Sequence, residues 1–268
     1  MHPVIIKLGG SAITDKSKKC TPNLPVIETS IRQIGDFPRP LILLHGGGSF
    51  AHPFVIQAGL HRGYKGSFQL RAVSETELFL DQLTRIIGAG LLLRRRPFVP
   101  LRPMSFIAMR NGRISQAFLE PIRRALELGL LPLVHGDLAF DTRLGIGVLS
   151  ADILASFLGV QFEAARVLFG CDVDGVYSQD PKKSRRAVLI ELVTEASYKR
   201  IMRSFGRTTG NDATGGMLRK FAEAVKLARN GVECVIFNVT DKQLLGEALR
   251  GKQIRGTRFV PWKRVRTA

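Results

Sequence analysis

Residues 40–52 read Pro-Leu-Ile-Leu-Leu-His-Gly-Gly-Gly-Ser-Phe-Ala-His. The apolar run that opens this stretch predicts a buried strand, and a glycine-rich loop follows it directly. Gly46, Gly47 and Gly48 remove every Cβ from one face of the turn, so backbone N–H groups can close on an anion there. His52 lies close enough along the chain to reach the same anion. The stretch therefore predicts a strand that ends in an anion-binding loop.

Two more segments have the composition of a phosphate-binding element. Residues 7–11 read Lys-Leu-Gly-Gly-Ser, and residues 212–220 read Asp-Ala-Thr-Gly-Gly-Met-Leu-Arg-Lys. Glycines let the backbone approach a phosphate closely, and a helix that begins near Gly215 and Gly216 would direct the positive end of its dipole at one. Three such elements in one chain indicate an enzyme that holds two phosphorylated molecules face to face.

Short apolar runs alternate along the chain with longer helical patterns, which predicts an α/β fold with a mainly parallel sheet between helix layers. Strands are expected at residues 4–8, 41–45, 97–100, 131–134, 166–169 and 233–237. Helices are expected at residues 24–34, 70–92, 120–128, 150–158 and 216–230. The pair Asn111-Gly112, between flanks that suit strands, adds a small β-hairpin near the substrate side.

The composition indicates a basic protein without a membrane span. The 268 residues include 40 Lys and Arg against 22 Asp and Glu, a net charge of +18. Such a charge suits a polyanion, a small anionic substrate or a solvated surface. Aromatic residues make up only 7% of the chain and do not alternate with the basic runs, so nucleic-acid binding is not expected. The longest apolar run, residues 86–93, is too short for a bilayer, and three widely spaced cysteines favour reduced thiols in the cytoplasm.

Other interpretations of the glycine loops lack supporting motifs. Residues 46–51 match Gly-x-Gly-x-x-Ala, so a dinucleotide-binding fold is an alternative, although the nearest acidic candidates, Glu75 and Glu77, lie beyond the expected spacing of about 20 residues. His-Gly-Gly-Gly at residues 45–48 copies an esterase oxyanion motif, but the chain has no Gly-x-Ser-x-Gly nucleophile elbow. A Walker A loop and the protein-kinase signatures are absent, and the histidines show no metal-binding spacing.

Four blocks of sequence carry a resemblance to the amino acid kinase superfamily, and within it to the isopentenyl phosphate kinase family. Residues 7–16 resemble the opening Lys-Leu-Gly-Gly-Ser-x-Ile-Thr-x-Lys of the family, and residues 45–53 resemble His-Gly-Gly-Gly-Ser-Phe-Gly-His-Pro. Residues 172–181 resemble Asp-Val-Asp-Gly-Val-Tyr followed by proline, and residues 212–220 resemble Asp-x-Thr-Gly-Gly-Met-x-x-Lys. The second block, with its histidine, is the one that indicates isopentenyl phosphate.

The resemblance implies an open αβα sandwich that uses ATP to phosphorylate isopentenyl phosphate to isopentenyl diphosphate, in an alternative mevalonate route to isoprenoids. It also implies Mg²⁺, which bridges phosphate oxygens in ATP chemistry, and a homodimer. Residues 1–268 would form one domain, with a phosphate-acceptor lobe at 1–160 and a nucleotide-binding lobe at 161–268. Ala51 stands where the family usually has glycine, a departure that matters only if this position requires a positive φ.

Site residues follow from the resemblance position by position. The catalytic residues would be Lys7, Lys16, His52, Asp152 and Lys220, with Asp152 organising Lys7 and Lys220. The residues that contact ATP would be Lys7, Gly9, Gly10, Ser11, Gly48, Asp172, Asp174, Tyr177, Lys182, Gly215, Gly216 and Lys220. The residues that contact the acceptor phosphate would be Gly46, Gly47, Gly48, His52, Gly136 and Asp137. One helix face, with an i, i+4, i+7 spacing, would form the pocket for the isoprenoid tail: Phe79, Leu83 and Ile86.

The chemistry predicts what His52 does. Phosphoryl transfer depends on positioning and charge neutralisation more than on covalent chemistry. A phosphate monoester has a second pKa of about 6, so it is mostly dianionic and already nucleophilic at neutral pH. His52 is therefore expected to donate to the acceptor phosphate and not to act as a general base. Two alternatives stay open: a kinase of the same superfamily that acts on UMP or an amino acid, and a basic nucleic-acid-binding or regulatory protein on this scaffold.

Overall fold

The computed structural model describes residues 2–179, 181, 184–205 and 213–262. The strands are β1 (Val4–Leu8), β2 (Leu41–His45), β3 (Phe98–Leu101), β4 (Ile107–Arg110), β5 (Arg113–Ala117), β6 (Leu131–His135), β7 (Asp137–Asp141), β8 (Gly145–Leu149), β9 (Arg166–Cys171), β10 (Leu192–Val193), β11 (Cys234–Asn238) and β12 (Thr257–Phe259). The helices are α1 (Gly10–Ile13), α2 (Leu24–Gly35), α3 (His52–Gln57), α4 (Leu70–Leu93), α5 (Glu120–Glu127), α6 (Ala151–Gln161), α7 (Tyr198–Phe205), α8 (Ala213–Arg229) and α9 (Leu244–Leu249).

Eight of these strands form the main sheet of the described chain, in the order β10-β12-β11-β9-β1-β2-β6-β3. Neighbouring strands in it run parallel, except that β12 is antiparallel to β11. The register pairs Leu8 with His45 and with Gly170, and His45 with His135. The carboxyl ends of four central strands therefore lie side by side, and the loops that follow them meet at one edge.

Two hydrophobic cores cover the two faces of the sheet. One packs α5, α6 and α8 on the sheet, and the other packs α2, α4 and α9 on the opposite face. On β1, Ile5 belongs to the first core, whereas Val4, Ile6 and Leu8 belong to the second. A central parallel strand that is buried on both faces reads as a continuous apolar run, which is how β1 and β2 stand out in the sequence. The predicted αβα sandwich is confirmed.

The predicted strands and helices all form, with ends within three residues of those expected. The prediction omitted elements with weak patterns. Helices α1 and α3 have only four and six residues, too few for a helical period to be read. Strand β7 begins and ends with a buried aspartate, and β8 contains two glycines, so neither reads as a strand. Among the described helices, none combines the length with the apolar character that a bilayer span requires.

The predicted hairpin forms, but it is part of a larger sheet. Strands β4 and β5 are joined through Asn111 and Gly112, whose φ values of 50° and 74° are those that this tight turn needs. In the described chain, β4 and β5 continue into a four-stranded sheet in the order β5-β4-β7-β8. The Asp141 carboxylate fixes the turn by accepting from the N–H groups of both turn residues, at 2.9 and 2.7 Å.

Candidate active site

The glycine loops that follow β1 and β2 contact each other through their backbones. A Cβ on Gly46 would lie 2.7 Å from Gly10 N, and a Cβ on Gly48 would lie 2.7 Å from Gly10 O. Gly48 also has a φ of 50°, a left-handed conformation that favours glycine. These positions require glycine because the two main chains approach too closely for any side chain. The close approach brings two anion-binding loops together into one site.

Thr14 links the two loops with its hydroxyl. Its Oγ1 donates to Gly10 O at 2.7 Å and accepts from Ser49 N at 3.0 Å. Sequence reasoning included Thr14 in the opening motif without giving it a role. The available signal was its spacing, because a threonine four residues after a helix start commonly donates back to the carbonyl at i−4.

Two of the glycine N–H groups serve the sheet and not a ligand. Gly9 N donates to Gly170 O at 2.7 Å, and Gly46 N donates to Leu8 O at 2.9 Å. The expectation that the N–H groups of Gly9 and Gly46 hold a phosphate is therefore wrong, because pairing of the parallel strands continues one residue past the ends of β1 and β2. What these two glycines provide is close packing between the loops.

Two short helical turns begin next to these positions. α1 begins after Gly9 and a 3₁₀ turn begins after Gly47, and neither start has a side-chain cap. The first N–H groups of a helix have no partner within the helix and attract anions. The phosphate contacts predicted for four residues at these starts stay predictions: Gly10, Ser11, Gly47 and Gly48.

His52 begins α3 directly after residues 46–51, which we call the acceptor loop after their predicted role. Ala51 has a φ of −129°, so its methyl group causes no left-handed strain and the departure from the family glycine is accommodated. The His52 side chain has an exposed edge, yet partial burial lowers the pKa of its imidazole. Three cations lower this pKa further: Lys7, Lys16 and Arg219. His52 is therefore neutral at pH 7 until an anion binds beside it.

Asp152 lies between two lysines at the base of the site. Lys7 Nζ is 2.9 Å from Asp152 Oδ1, and Lys220 Nζ donates to Oδ1 at 2.9 Å and to Oδ2 at 3.0 Å. The side chains of both lysines are 8% exposed and that of Asp152 is 13% exposed. β1 supplies Lys7, the first turn of α6 supplies Asp152, and α8 supplies Lys220. The structure thus brings together three of the five predicted catalytic residues in one buried cluster.

Sharing one carboxylate leaves this cluster with excess positive charge. Burial lowers the pKa of Lys7 by more than the Asp152 carboxylate restores, and the neighbouring Lys220 lowers it further. Burial also opposes the charge of Lys220, but contact with Asp152 outweighs it and raises the pKa of Lys220. For Asp152, burial is outweighed by the two ammonium groups, which hold its pKa far below its usual range. The cluster therefore carries a buried positive charge that phosphate oxygens can neutralise.

Asp172 connects the opening loop to the end of β9. Ser11 Oγ donates to Asp172 Oδ1 at 2.9 Å, and Lys16 Nζ lies 4.0 Å from Asp172 Oδ2. The Lys16 side chain is 68% exposed, in contrast to the two buried lysines. Lys16 is thus held at the rim of the site, where it can reorient toward a phosphate.

Asp174 is the centre of a second polar group at the same sheet edge. It accepts from Tyr177 OH at 2.9 Å, from Arg255 Nε at 2.8 Å and from Asn238 Nδ2 at 3.2 Å. Sequence reasoning named Asp174 and Tyr177 but missed Arg255 and Asn238. Asn238 could have been found, since it follows a predicted strand at the edge where the loops meet. Arg255 had no such signal because it lies in a segment without periodicity.

Three predicted nucleotide contacts depend on the third glycine element. Gly215 and Gly216 lie in the first turn of α8, and Lys220 follows about two turns along the helix. Lys182 lies outside the described residues. The contacts predicted for the glycines stay predictions.

Gly136 and Asp137 lie beside the acceptor loop but face the protein. Gly136 N donates to His45 O at 2.9 Å. The Asp137 side chain has no exposed surface, and its two oxygens accept from Met104 N at 3.0 Å and from Leu138 N at 2.8 Å. The expectation that Asp137 contacts the substrate is corrected: its carboxylate is engaged by backbone N–H groups and positions the structure beneath the loop.

The helix face proposed for the isoprenoid tail is mostly core. Leu83 is fully buried in the core shared with α2, and Ile86 packs against that core. Such an i, i+4, i+7 stripe faces the sheet because burial of apolar area drives helix packing. Phe79 differs, because its half-buried ring stacks on Phe54 of α3 with ring centroids 4.5 Å apart. Of the three residues, Phe79 lies nearest in the fold to the helix that begins at His52.

The fold and this site together define a phosphotransferase, in which glycine loops and buried lysines meet at the carboxyl edge of a parallel sheet. The chain belongs to the amino acid kinase family, which matches residues 2–238. Within that family it is a member of the isopentenyl phosphate kinase group, as the following relatives establish.

The chain is 35% identical over 264 residues to isopentenyl phosphate kinase of Methanothermobacter thermautotrophicus, and the alignment covers 96% of this chain and 98% of the relative. It is 29% identical over 236 residues to isopentenyl phosphate kinase of Thermoplasma acidophilum, covering 85% and 89%. A solved isopentenyl phosphate kinase structure superposes with a TM-score of 0.84 at 32% identity, covering 97% of this chain and all of that one. The dinucleotide-binding alternative is thereby excluded.

Replacing Asp152 with asparagine tests the buried cluster. We expect Asp152→Asn to reduce the free energy of unfolding by about 4 kcal/mol, because two buried ammonium groups lose their only close counter-charge in the described chain. Turnover should fall by about 100-fold or more as the lysines reorient. Urea unfolding and steady-state kinetics measure the two effects.

The control for this variant is Glu120→Gln, which removes an exposed carboxylate that pairs with Arg124 on α5. That change should alter the free energy of unfolding by less than about 1 kcal/mol. Unchanged stability and turnover in Asp152→Asn would show that the cluster does not depend on the shared charge.

Proposed function

We propose that the chain transfers the γ-phosphoryl group of ATP to isopentenyl phosphate, forming isopentenyl diphosphate and ADP. The observation that carries this proposal is the buried Lys7–Asp152–Lys220 cluster beneath two touching glycine loops, one of which ends at His52. The relatives named isopentenyl phosphate kinase support the choice of acceptor.

Each side of the site has a distinct task. The starts of α1 and α8, with Lys220, would hold the ATP phosphates by backbone N–H groups and charge. The Gly47-Gly48 turn and His52 would hold the acceptor phosphate. An acceptor oxygen then forms a bond to the γ-phosphorus while the bond between that phosphorus and the β,γ-bridging oxygen breaks. The bridging oxygen leaves as part of ADP and keeps the electron pair of the broken bond. No proton has to be removed from a dianionic acceptor, so no general base is required.

Magnesium would enter with ATP and not occupy a site built by the protein. In the described chain, no group of three or more histidines, cysteines or acidic residues is arranged to hold a metal ion. The buried acid of the site, Asp152, is already engaged by two lysines. Mg²⁺ is therefore proposed to bind phosphate oxygens of the nucleotide and to lower the charge repulsion between the two substrates.

The isoprenoid tail is proposed to run from His52 toward the stacked rings of Phe54 and Phe79. Phe54 lies in the same short helix as His52, and its ring stacks on Phe79 of α4, so this aromatic pair is the apolar surface proposed for the tail. Beyond the rings lies a small apolar cluster between α3 and the four-stranded sheet, which includes Val55, Leu138 and Ile146. This placement keeps the predicted role of Phe79 and replaces those of Leu83 and Ile86.

A substrate panel tests the proposed activity. We expect ADP release with Mg²⁺ and ATP to be selective for isopentenyl phosphate and dimethylallyl phosphate over UMP, glutamate, acetylglutamate and no acceptor. Turnover of UMP or an amino acid would keep the fold and overturn the role of the His52 loop. No turnover with any acceptor, together with salt-dependent binding of nucleic acid, would favour the regulatory alternative.

His52→Ala tests the acceptor side. Loss of the imidazole donor should lower turnover of isopentenyl phosphate by about 100-fold without changing the fold, because His52 is exposed at the start of α3. The matched control is His61→Ala, at an exposed position away from the loop, which should behave as wild type. Wild-type turnover of His52→Ala at low acceptor concentration would remove the residue from the mechanism.

We also propose that the protein is a homodimer formed through α4. Leu78, Leu92 and Leu93 are 66%, 61% and 86% exposed on this helix, beside the edge strand β3. An apolar helix stripe next to an unpaired sheet edge is typical of a surface that another chain covers.

Light scattering should give twice the mass of one chain for the wild type and one chain mass for Leu92→Glu, since a charge would be buried in the interface. Leu128→Glu, which alters an exposed leucine at the end of α5, should stay a dimer. A wild-type monomer at micromolar concentration would refute the dimer.

A further inference from the structure

A fully buried carboxyl group and a partly buried one lie together near the acceptor loop, and the mechanism above does not use them. They belong to Asp137 on β7 and Glu77 on α4, a strand and a helix that pack against each other, and the two side chains are within hydrogen-bond reach. Two ionised carboxylates at that distance would repel each other strongly, because little water screens them. One of the two must therefore carry a proton that it shares with the other.

The surrounding donors decide which carboxyl is ionised. Burial raises the pKa of Asp137, but both of its oxygens accept from backbone N–H groups, those of Met104 and Leu138, and these bonds oppose the rise and favour its charged form. Glu77 Oε1 is buried and has no hydrogen-bond donor among the described residues. A carboxylate without donors is costly to bury, whereas a protonated carboxyl needs fewer of them. The proton accordingly belongs to Glu77.

The charged groups packed around the pair do not neutralise a second negative charge. Arg102 favours the charged forms of Glu77 and Asp137, but it pairs with Asp81, one turn after Glu77 on α4. His135 Nδ1 lies 3.9 Å from Asp137 Oδ2, but burial lowers the pKa of His135 and favours its neutral form. Ionisation of Glu77 would thus add an uncompensated charge beneath the loop. Burial, reinforced by the bond to Asp137, raises the pKa of Glu77 to about 8.

The pair is linked to the acceptor loop through one residue. Asp137 follows Gly136, whose N–H donates to His45 O at 2.9 Å, and His45 leads directly into Gly46. On the other side, α4 also contacts this region, because Thr84 Oγ1 lies 2.9 Å from His45 Nε2. Separation of Glu77 from Asp137 would loosen the contact between α4 and the two strands that carry the loop.

We propose that Glu77 holds a proton shared with Asp137, and that this proton is a condition for binding the dianionic acceptor in the adjacent loop, which makes Glu77 a positioning residue. The inference rests on the proposed function for the identity of the acceptor. Its physical basis is twofold. The neutral carboxyl keeps α4 attached beneath the loop, and because it is uncharged it adds no second negative charge near a bound dianion.

The kinetic experiment compares the wild type with Glu77→Gln between pH 6.5 and 9.5. A glutamine amide can donate to Asp137 in place of the shared proton but cannot ionise. The wild-type KM for isopentenyl phosphate should rise about tenfold as the pH passes through 8, with a much smaller change in kcat. In Glu77→Gln the rise should be less than twofold. A full rise in Glu77→Gln would overturn the proposal, since other groups, such as Lys7 or His52, would then cause it.

The matched control is Glu75→Gln on the same helix. Glu75 pairs with Arg71 at the surface, so Glu75→Gln removes a negative charge from the same helix without affecting the Glu77–Asp137 pair. Its KM should follow the wild-type pH profile. A flat profile in Glu75→Gln would also contradict the proposal, because net charge alone would then explain the effect.

Thermal unfolding without substrates tests the pair independently of activity. Because the folded state raises the pKa of Glu77, the proton's contribution to stability is complete below the unfolded pKa of about 4.5 and declines as the pH rises toward 8. The melting temperature of the wild type should therefore fall by several degrees relative to Glu77→Gln between pH 5 and 9. A constant difference would refute the shared proton.

If the wild type turns over no prenyl phosphate at any pH, the proposed function fails, while this melting comparison still decides whether the pair shares a proton.

Discussion

One carboxylate shared by two buried ammonium groups is the interaction on which the site depends. Asp152 contacts Lys7 and Lys220, and the three side chains are almost entirely buried. The cluster keeps a net positive charge. A protein selected only for stability would pair each buried charge, because an unpaired one costs several kcal/mol. The lowered pKa of Lys7 reflects this cost. Phosphate oxygens bound here, as proposed, would offset it, and substrate binding would then be linked to stability.

The central strand β1 places the charge of Lys7 next to the glycine loop that follows the strand. Lys7 and Gly10 lie three residues apart, so the strand that carries the buried lysine also delivers the loop that contacts Gly48. Parallel register with β2 and β9 then sets the level of the acceptor loop and of Asp172. The distance between the two phosphate sites is thus fixed by backbone contact and not by side chains, which can reorient. This rigidity suits a reaction whose catalysis depends on positioning.

The sequence predicted the sheet and helices well because both faces of the sheet are buried and the strands read as apolar runs. The sequence also indicated the glycines and lysines of the site, because they belong to short motifs that can be recognised locally. It failed where a role depends on pairing across the fold. Gly9 was taken for a ligand contact because the register that engages its N–H group cannot be read locally. The roles of Glu77 and Arg255 were missed for the same reason, as their partners are distant along the chain.

Helix α4 illustrates why hydrophobic periodicity alone misplaced the tail pocket. Its strongest apolar stripe packs on the sheet and consists of Leu83, Ile87 and Leu91. A second stripe is polar and faces the strands of the acceptor loop, and it consists of Glu77, Asp81 and Thr84. A third stripe is exposed and apolar. Periodicity detects the first stripe because it contributes most to folding, whereas the stripe beside the strands of the acceptor loop has the weakest hydrophobic signal. A functional face on such a helix is better sought among its buried polar residues, because burial of a polar group needs a compensating reason.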